Sequence, residues 1–183
     1  MRKIPTLFER DWDGDRSRVV NKVHPDCQWV LDGDGIATQK LDGACCMIRD
    51  SILYKRREIK KGDVVPNDFE PVMEDPETGK TVGWVRVGDG PEDRWFREAL
   101  NKEDGCAEDG TYELLGPKVQ GNPEKLPDHI LWAHTHAPRL TDVPRDFEGL
   151  RQWLYGKPME GIVFHHTDGR MAKIKLRDFG LKR

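Results

Sequence analysis

Short runs of alternating apolar and polar residues, joined by polar turns, are the feature that most restricts how this chain folds. Ala44–Arg49 and Ile52–Ile59 flank the polar pair Asp50-Ser51, which is the pattern of a β-hairpin. Residues 36–43 are predicted to form a strand that runs into a turn. Further strands are predicted at residues 81–87, 110–115, 130–136, 161–166 and 172–176, with a turn at 167–170.

Two segments have the apolar spacing of amphipathic helices. The first follows Pro91 and has acidic residues in its first turn, and the second covers residues 146–155. Their apolar faces consist of Trp95, Phe96, Ala99 and Leu100, and of Phe147, Leu150, Trp153 and Leu154. Because strands and helices do not alternate regularly, we predict an α+β fold with mainly antiparallel sheets and flanking helices. Residues 62–79, rich in Pro, Asp and Glu, are predicted to form an exposed loop.

Length and hydropathy limit the class of protein. A chain of 183 residues suits one domain, so a single domain over residues 1–183 is expected. No apolar run approaches the roughly 20 residues that span a bilayer. The first ten residues have no apolar stretch of the kind found in secretory signals. We therefore expect a cytoplasmic protein without a membrane partner.

Cysteine and histidine spacing gives little sign of metal binding. The four cysteines, Cys27, Cys45, Cys46 and Cys106, contain no C-x-x-C pair and are expected to be reduced thiols. Adjacent Cys45 and Cys46 should point to opposite faces of a strand. No Cys/His spacing matches a structural zinc motif. The histidines at 134, 136, 165 and 166 are therefore predicted to lie at the surface or to contact phosphate.

The distribution of charge is more informative than the net charge of −3. Residues 66–111 contain thirteen acidic and five basic residues, whereas residues 169–183 contain six basic residues and one acidic residue. A second basic cluster occupies residues 55–57 and 60–61. Local basic strips on an acidic protein indicate brief handling of phosphates rather than tight, unspecific binding to duplexes.

The segment Lys40-Leu41-Asp42-Gly43 places a lysine at the end of a predicted strand, before a glycine turn. A lysine amine is nucleophilic only when neutral, which burial and neighbouring cations favour. The lysine at this position is therefore a candidate nucleophile.

Three later segments carry further candidate residues. Glu113 lies inside an apolar strand, Glu160 precedes a strand, and Lys173 and Lys175 share one strand face because they are two residues apart. Taken singly, these are also typical of an edge carboxylate, a turn glutamate and a solvated basic strand. Their order along the chain is the informative feature.

In this order the four segments resemble the motifs of the covalent nucleotidyltransferase superfamily, which comprises DNA ligases, RNA ligases and mRNA-capping guanylyltransferases. Residues 40–43 are similar to motif I, 112–114 to motif III, 160–163 to motif IV and 173–175 to motif V. The resemblance extends over residues 36–175. Residues 40–46 and 110–123 look closer to the small 5′–3′ RNA ligase family that includes a human member.

The resemblance implies a nucleotidyltransferase domain of the ATP-grasp-like ligase adenylation type and an ATP-dependent RNA ligase activity. AMP from ATP would pass through Lys40 to an RNA 5′-phosphate, and an RNA 3′-hydroxyl would then displace it. Many superfamily members carry an OB-fold after motif V. The sequence ends eight residues after Lys175, so no C-terminal OB-fold is expected, which favours RNA ligases over DNA ligases and capping enzymes.

The resemblance also implies roles for individual residues. Lys40 would attack the α-phosphate, which Lys173 and Lys175 would hold. Glu160, with Glu113, would bind Mg²⁺ (or Mn²⁺), unless Glu113 contacts the ribose instead. The remaining nucleotide-binding candidates are Gln39 for the adenine amino group, Asp42 and Gly43 as orienting and turn residues, Arg56 for ribose or phosphates, and Trp132 for stacking on the base or for the core.

Two other functions remain open at this level. A capping-type GMP transferase shares the lysine chemistry, and a non-catalytic nucleotide- or RNA-binding module would bind the same ligands without covalent labelling.

Overall fold

The computed structural model describes residues 1–75, 78–103 and 108–183. The chain forms two compact units. The inserted unit comprises Met1–Lys3 and Asp42–His136, and the split unit comprises Ile4–Leu41 and Ala137–Arg183. The single domain expected from the sequence stays a prediction.

The strands, in chain order, are β1 (Phe8–Arg10), β2 (Val19–Val23), β3 (Ile36–Lys40), β4 (Ala44–Arg49), β5 (Ile52–Ile59), β6 (Glu70–Glu74), β7 (Thr81–Arg86), β8 (Gly110–Leu115), β9 (Ile130–Ala133), β10 (Arg139–Leu140), β11 (Gly161–His165) and β12 (Met171–Lys175). The α-helices are α1 (Gln28–Leu31), α2 (Arg94–Lys102) and α3 (Phe147–Leu154). Short 3-10 turns occupy Pro25–Cys27, Pro91–Asp93, His134–His136 and Leu176–Phe179.

The split unit is built on a four-stranded antiparallel sheet in the order β10-β3-β11-β12, beside the separate pair β1-β2. Alternation along the strands gives this sheet two different faces. One face carries Ile162, Phe164 and Ile174, which are fully buried in a core shared with α3. Helix α3 begins where the Asp146 side chain accepts a hydrogen bond from the Gly149 backbone N–H, a usual N-cap arrangement. The opposite face carries Lys40, Lys173 and Lys175.

The inserted unit contains a six-stranded antiparallel sheet in the order β6-β7-β5-β4-β8-β9. Helix α2 packs Ala99 against a core that includes Cys46, Ile48 and Leu114. The β4–β5 hairpin closes through a two-residue turn because Arg49 pairs with Ile52. Asp50 and Ser51 both have positive φ, at 53° and 62°, which matches the twist that two-residue hairpin turns require.

The mainly antiparallel α+β architecture predicted from the sequence is confirmed, as are the hairpin and the two longer helices. Residues 62–79 are not simply a loop, because β6 lies within them and pairs with β7. A strand at the edge of a sheet tolerates Pro71 and the flanking charges, so the composition was misleading there. The strand predicted at 130–136 ends at Ala133, after which a 3-10 turn begins.

Among the described residues, no helix combines the length and apolar character needed to cross a bilayer.

Candidate active site

A single row of residues crosses the sheet of the split unit and positions the candidate nucleophile. Gly161 on β11 pairs with Lys40 on β3 at one side and with Lys175 on β12 at the other. Residues directly opposite each other on neighbouring strands project from the same face. The two lysines therefore leave the sheet side by side, separated by a residue that has no side chain.

Glu160, immediately before β11, connects these two lysines. Its Oε2 lies 2.5 Å from Lys40 Nζ, and its Oε1 accepts a hydrogen bond from Lys175 Nζ. The side chains of Lys40, Glu160 and Lys175 are 20%, 15% and 13% exposed, so solvent screens their charges only in part. We refer to these three residues as the lysine–glutamate cluster.

The charged groups of the lysine–glutamate cluster shift the pKa values of Glu160 and Lys175. Burial raises the pKa of Glu160, but the charges of Lys40 and Lys175 and their hydrogen bonds together outweigh burial and hold that pKa below its usual value. Burial lowers the pKa of Lys175, and the charge of Lys40 lowers it further, although Glu160 opposes both effects. With two ammonium groups and one carboxylate, the cluster carries a net positive charge that suits a phosphate group.

A buried carboxylate holds the end of β12 in place. Asp178, which is 0% exposed, accepts a hydrogen bond of 2.9 Å from the Lys175 backbone N–H and one of 2.8 Å from Arg10 Nη1. The first contact restricts the backbone from which the Lys175 side chain leaves the sheet, and the second holds the Asp178 carboxylate that makes it. Asp178 is thus a positioning residue for the lysine–glutamate cluster that the sequence pattern did not reveal.

Gly161→Ala is expected to destabilise the protein by about 1–3 kcal/mol, because overpacking at a strand-pairing position displaces the backbone. A Cβ at this position would collide with the Ile174 carbonyl oxygen and lie 2.7 Å from Lys175 Cα. Urea unfolding measures the loss. The control is Gly110→Ala, whose Cβ would meet its nearest neighbour, the Tyr112 ring, at 3.8 Å. Equal losses in the two variants would contradict the expectation.

Two other predicted residues lie on the same sheet, with different outcomes. Lys173 faces the same side as Lys175, one row further along, opposite Val163. Gln39 is opposite Ile162, so alternation directs its side chain to the face away from Lys40. The structure therefore brings Lys40, Lys173 and Lys175 to one face and does not bring the Gln39 side chain there. The adenine contact of Gln39 stays a prediction.

In the inserted unit, the predicted motif glycine and motif glutamate are in direct contact. The Gly43 backbone N–H donates to Glu113 Oε1 at 3.1 Å, and Glu113 is only 7% exposed. A Cβ on Gly43 would collide with the Leu114 carbonyl oxygen and lie 2.8 Å from Glu113 Cγ. Only glycine fits this close approach of β8. Asp42, another predicted nucleotide-binding residue, is the first residue of the Asp42–His136 segment of the inserted unit.

Arg56 and Trp132 also belong to the inserted unit. Arg56 is half-buried on β5, and its Nε is a buried side-chain nitrogen without a hydrogen-bond partner among the described residues, whereas Arg57 is exposed. Arg56 lines a groove with Cys45 and other residues of the same unit. Trp132 is half-buried beside Glu113 on the neighbouring strand and lies outside the buried apolar cluster of this unit. Its stacking on a base stays a prediction.

The histidines were only partly predicted. His136 is exposed, whereas His134, His165 and His166 are half-buried and engaged in polar contacts, and their contact with phosphate stays a prediction. His134 Nε2 lies 3.0 Å from Glu113 Oε2, and His165 Nε2 lies 2.9 Å from Thr38 Oγ1. The sequence gives no local signal of these contacts, because they depend on which strand lies next to each histidine.

The expected reduced thiols are confirmed for Cys27, Cys45 and Cys46, none of which forms a disulfide. Cys106 lies outside the described residues. Burial raises the pKa of Cys27 to about 12 and also raises that of Cys46. Cys46 lies in the core and Cys45 faces the other side of β4, as the alternation predicted.

Comparison with known proteins gives one partial similarity. RNA ligase 1 of Danio rerio is 37% identical to the chain in an alignment of 82 residues that covers 39% of this chain and 25% of that protein. The chain thus matches about a quarter of the length of this relative. No protein-family model matches the chain. The similarity supports an RNA ligase-like relationship over part of the chain.

Proposed function

We propose that the protein is a cytoplasmic ATP-dependent RNA ligase that works through a lysyl-AMP intermediate at Lys40. The observation that carries the proposal is the lysine–glutamate cluster, in which Glu160 binds Lys40 and Lys175 on one sheet face. The partial similarity to an RNA ligase is independent support. The proposal includes the assignment of residues 1–183 to a nucleotidyltransferase fold.

In the first step Lys40 takes AMP from ATP. Its neutral Nζ attacks the α-phosphorus, a P–N bond forms, the bond to the bridging oxygen breaks, and pyrophosphate leaves. The excess proton on the nitrogen passes to solvent. Lys175 and Lys173, on the same face, stabilise the negative charge on the α-phosphate oxygens, which is the main contribution proteins make to phosphoryl transfer.

The chemistry of Glu160 fits a divalent cation. Its lowered pKa keeps the carboxylate ionised, which provides the anionic oxygen ligand that Mg²⁺ or Mn²⁺ requires. Mg²⁺ typically uses one or two protein carboxylates and keeps several waters. Glu160 can therefore be the single carboxylate ligand that the split unit provides. When bound, the ion would neutralise charge on the ATP phosphates. Glu113 remains the candidate for a ribose or second metal contact.

The later steps transfer AMP to RNA. An oxygen of the RNA 5′-phosphate attacks the AMP phosphorus, the P–N bond breaks, and the Lys40 nitrogen regains a proton. The RNA 3′-hydroxyl then attacks the 5′-phosphorus, releases AMP and loses its proton to solvent. Exposed basic residues of the split unit, Arg170, Arg177 and Lys182, are suited to contact the RNA backbone.

Incubation with each nucleotide separates the proposal from its two rivals. With ATP and Mg²⁺, intact-mass measurement should show the gain of one adenylyl group, and GTP should produce no gain. The labelled protein should then join RNA ends that carry a 5′-phosphate and a 3′-hydroxyl. RNA with a 5′-hydroxyl is the matched control and should not be joined. Labelling by GTP alone would instead indicate a capping-type transferase, and nucleotide binding without labelling would indicate a binding module.

A further inference from the structure

A second group of polar side chains lies within the inserted unit, formed by Cys45, Glu113 and His134. One ligand atom from each residue, the Cys45 Sγ, a Glu113 carboxylate oxygen and a His134 ring nitrogen, lies within 4.8 Å of the other two. Strand register explains the grouping, because Cys45 on β4 is directly opposite Glu113 on β8. The 3-10 turn after β9 then brings His134 Nε2 to 3.0 Å from Glu113 Oε2.

We propose that Cys45, Glu113 and His134 bind a zinc-class divalent cation. Thiolate, imidazole and carboxylate are the ligands of zinc, with bonds of about 2.3, 2.0–2.1 and 2.0–2.2 Å. Tetrahedral ligands at such bond lengths are roughly 3.3–3.6 Å apart, so small side-chain rotations suffice. Mg²⁺ prefers an all-oxygen set, and the thiol therefore selects the softer ion. Three protein ligands leave a fourth position for water.

Neighbouring groups already orient two of the ligands. Thr111 Oγ1 lies 3.0 Å from His134 Nδ1, so Nε2 faces the carboxylate, and the Gly43 backbone N–H holds Glu113 Oε1 at 3.1 Å. Such outer contacts restrict metal ligands to a productive orientation. The side chains of His134 and Glu113 are 25% and 10% exposed, so the group is largely shielded from bulk solvent.

The 3.0 Å contact between His134 Nε2 and Glu113 Oε2 keeps these two ligand atoms close enough to bind one ion after small side-chain rotations. The site lies apart from the lysine–glutamate cluster but shares Glu113 with the proposed ligase reaction, because a bound zinc ion would occupy that carboxylate.

Co²⁺ is the first probe, because a bound thiolate produces a charge-transfer absorption band and tetrahedral coordination produces visible bands. The chelator-treated protein should show both, and Zn²⁺ should abolish them by displacement. Cys45→Ser should lose the thiolate band, and His134→Ala should bind about tenfold more weakly or worse. His136→Ala, an exposed neighbour in the same turn, is the matched control and should bind as the wild type does. Equal Co²⁺ spectra for Cys45→Ser and wild type would overturn the proposal, as would a wild type that binds no Co²⁺.

A second measurement needs no variant and so does not depend on variant folding. Alkylation of the wild-type protein, followed by peptide mapping, should modify Cys45 more slowly in Zn²⁺ than in Mg²⁺. Zn²⁺, and not Mg²⁺, should also raise the Tm, because an ion that binds only the folded state stabilises that state. Unchanged Cys45 labelling in Zn²⁺ would overturn the site whatever the protein does with ATP.

Discussion

The Lys40→Ala protein is expected to gain no adenylyl group from ATP, with labelling reduced by at least about 10³-fold, while it remains folded. Alanine has no nucleophile, and the neighbouring Lys175 is held by Glu160 and by its own backbone position. Because Lys40 lies at the end of β3 with a side chain 20% exposed, its truncation leaves the apolar core unchanged. Intact mass after incubation with ATP and Mg²⁺ measures the labelling, and circular dichroism measures the fold.

Two companion variants make this result specific. Lys22→Ala removes an exposed lysine from the same unit and should be labelled like the wild type. Lys40→Arg keeps a positive charge beside Glu160 but supplies no neutral amine at ordinary pH, so it should bind ATP and stay unlabelled. Labelling of Lys40→Ala would show that another residue is the nucleophile and would refute the proposed mechanism.

Glu160→Gln is expected to slow AMP transfer by about 10²-fold, comparable to the loss of one electrostatic contact in other acyl- or phosphoryl-transfer sites. The amide oxygen can accept a hydrogen bond from one lysine, but the amide nitrogen then faces the other ammonium group. The substitution also removes the anionic ligand proposed for Mg²⁺. The positions of both lysines and the metal contact are therefore lost together.

The same substitution should lower the free energy of unfolding by about 1.5–3 kcal/mol, the range for hydrogen bonds to charged groups. The pKa of Glu160 is lower in the folded protein than in the unfolded chain, where it is about 4.3. Its stabilisation is therefore complete above about pH 4.3 and lost as the pH falls through the folded value. Urea unfolding of wild type and Glu160→Gln across acidic pH should show the difference shrink below that point.

Glu148→Gln is the matched control, because Glu148 is an exposed glutamate on α3 in the same unit. It should change neither AMP transfer nor the acid dependence of unfolding by a measurable amount. If Glu160→Gln transferred AMP at the wild-type rate, the lysine–glutamate cluster would have no part in the reaction. A difference in unfolding free energy that persisted unchanged in acid would show that charge is not its cause.

Local patterns in the sequence determined where most strands and the two longer helices lie, and which side chains share a face. Alternation with a period of two placed Lys173 and Lys175 on the same side of β12 and separated Cys45 from Cys46. The polar pair at 50–51 located the β4–β5 turn, because such residues adopt the backbone angles that a two-residue turn needs. These features depend on neighbours within a few residues, so the sequence alone predicts them.

Only the tertiary structure decided which strands are neighbours, because pairing depends on how distant apolar faces pack together. Glu160 meets Lys40 across 120 positions of sequence, since β11 inserts between β3 and β12. His134 meets Glu113 in the same way, which no Cys/His spacing could indicate. Strand β6 formed despite a composition typical of loops, because the edge of a sheet demands hydrogen bonds on one side only. The sequence thus determined the chemical groups and their faces, and nonlocal packing determined which groups meet.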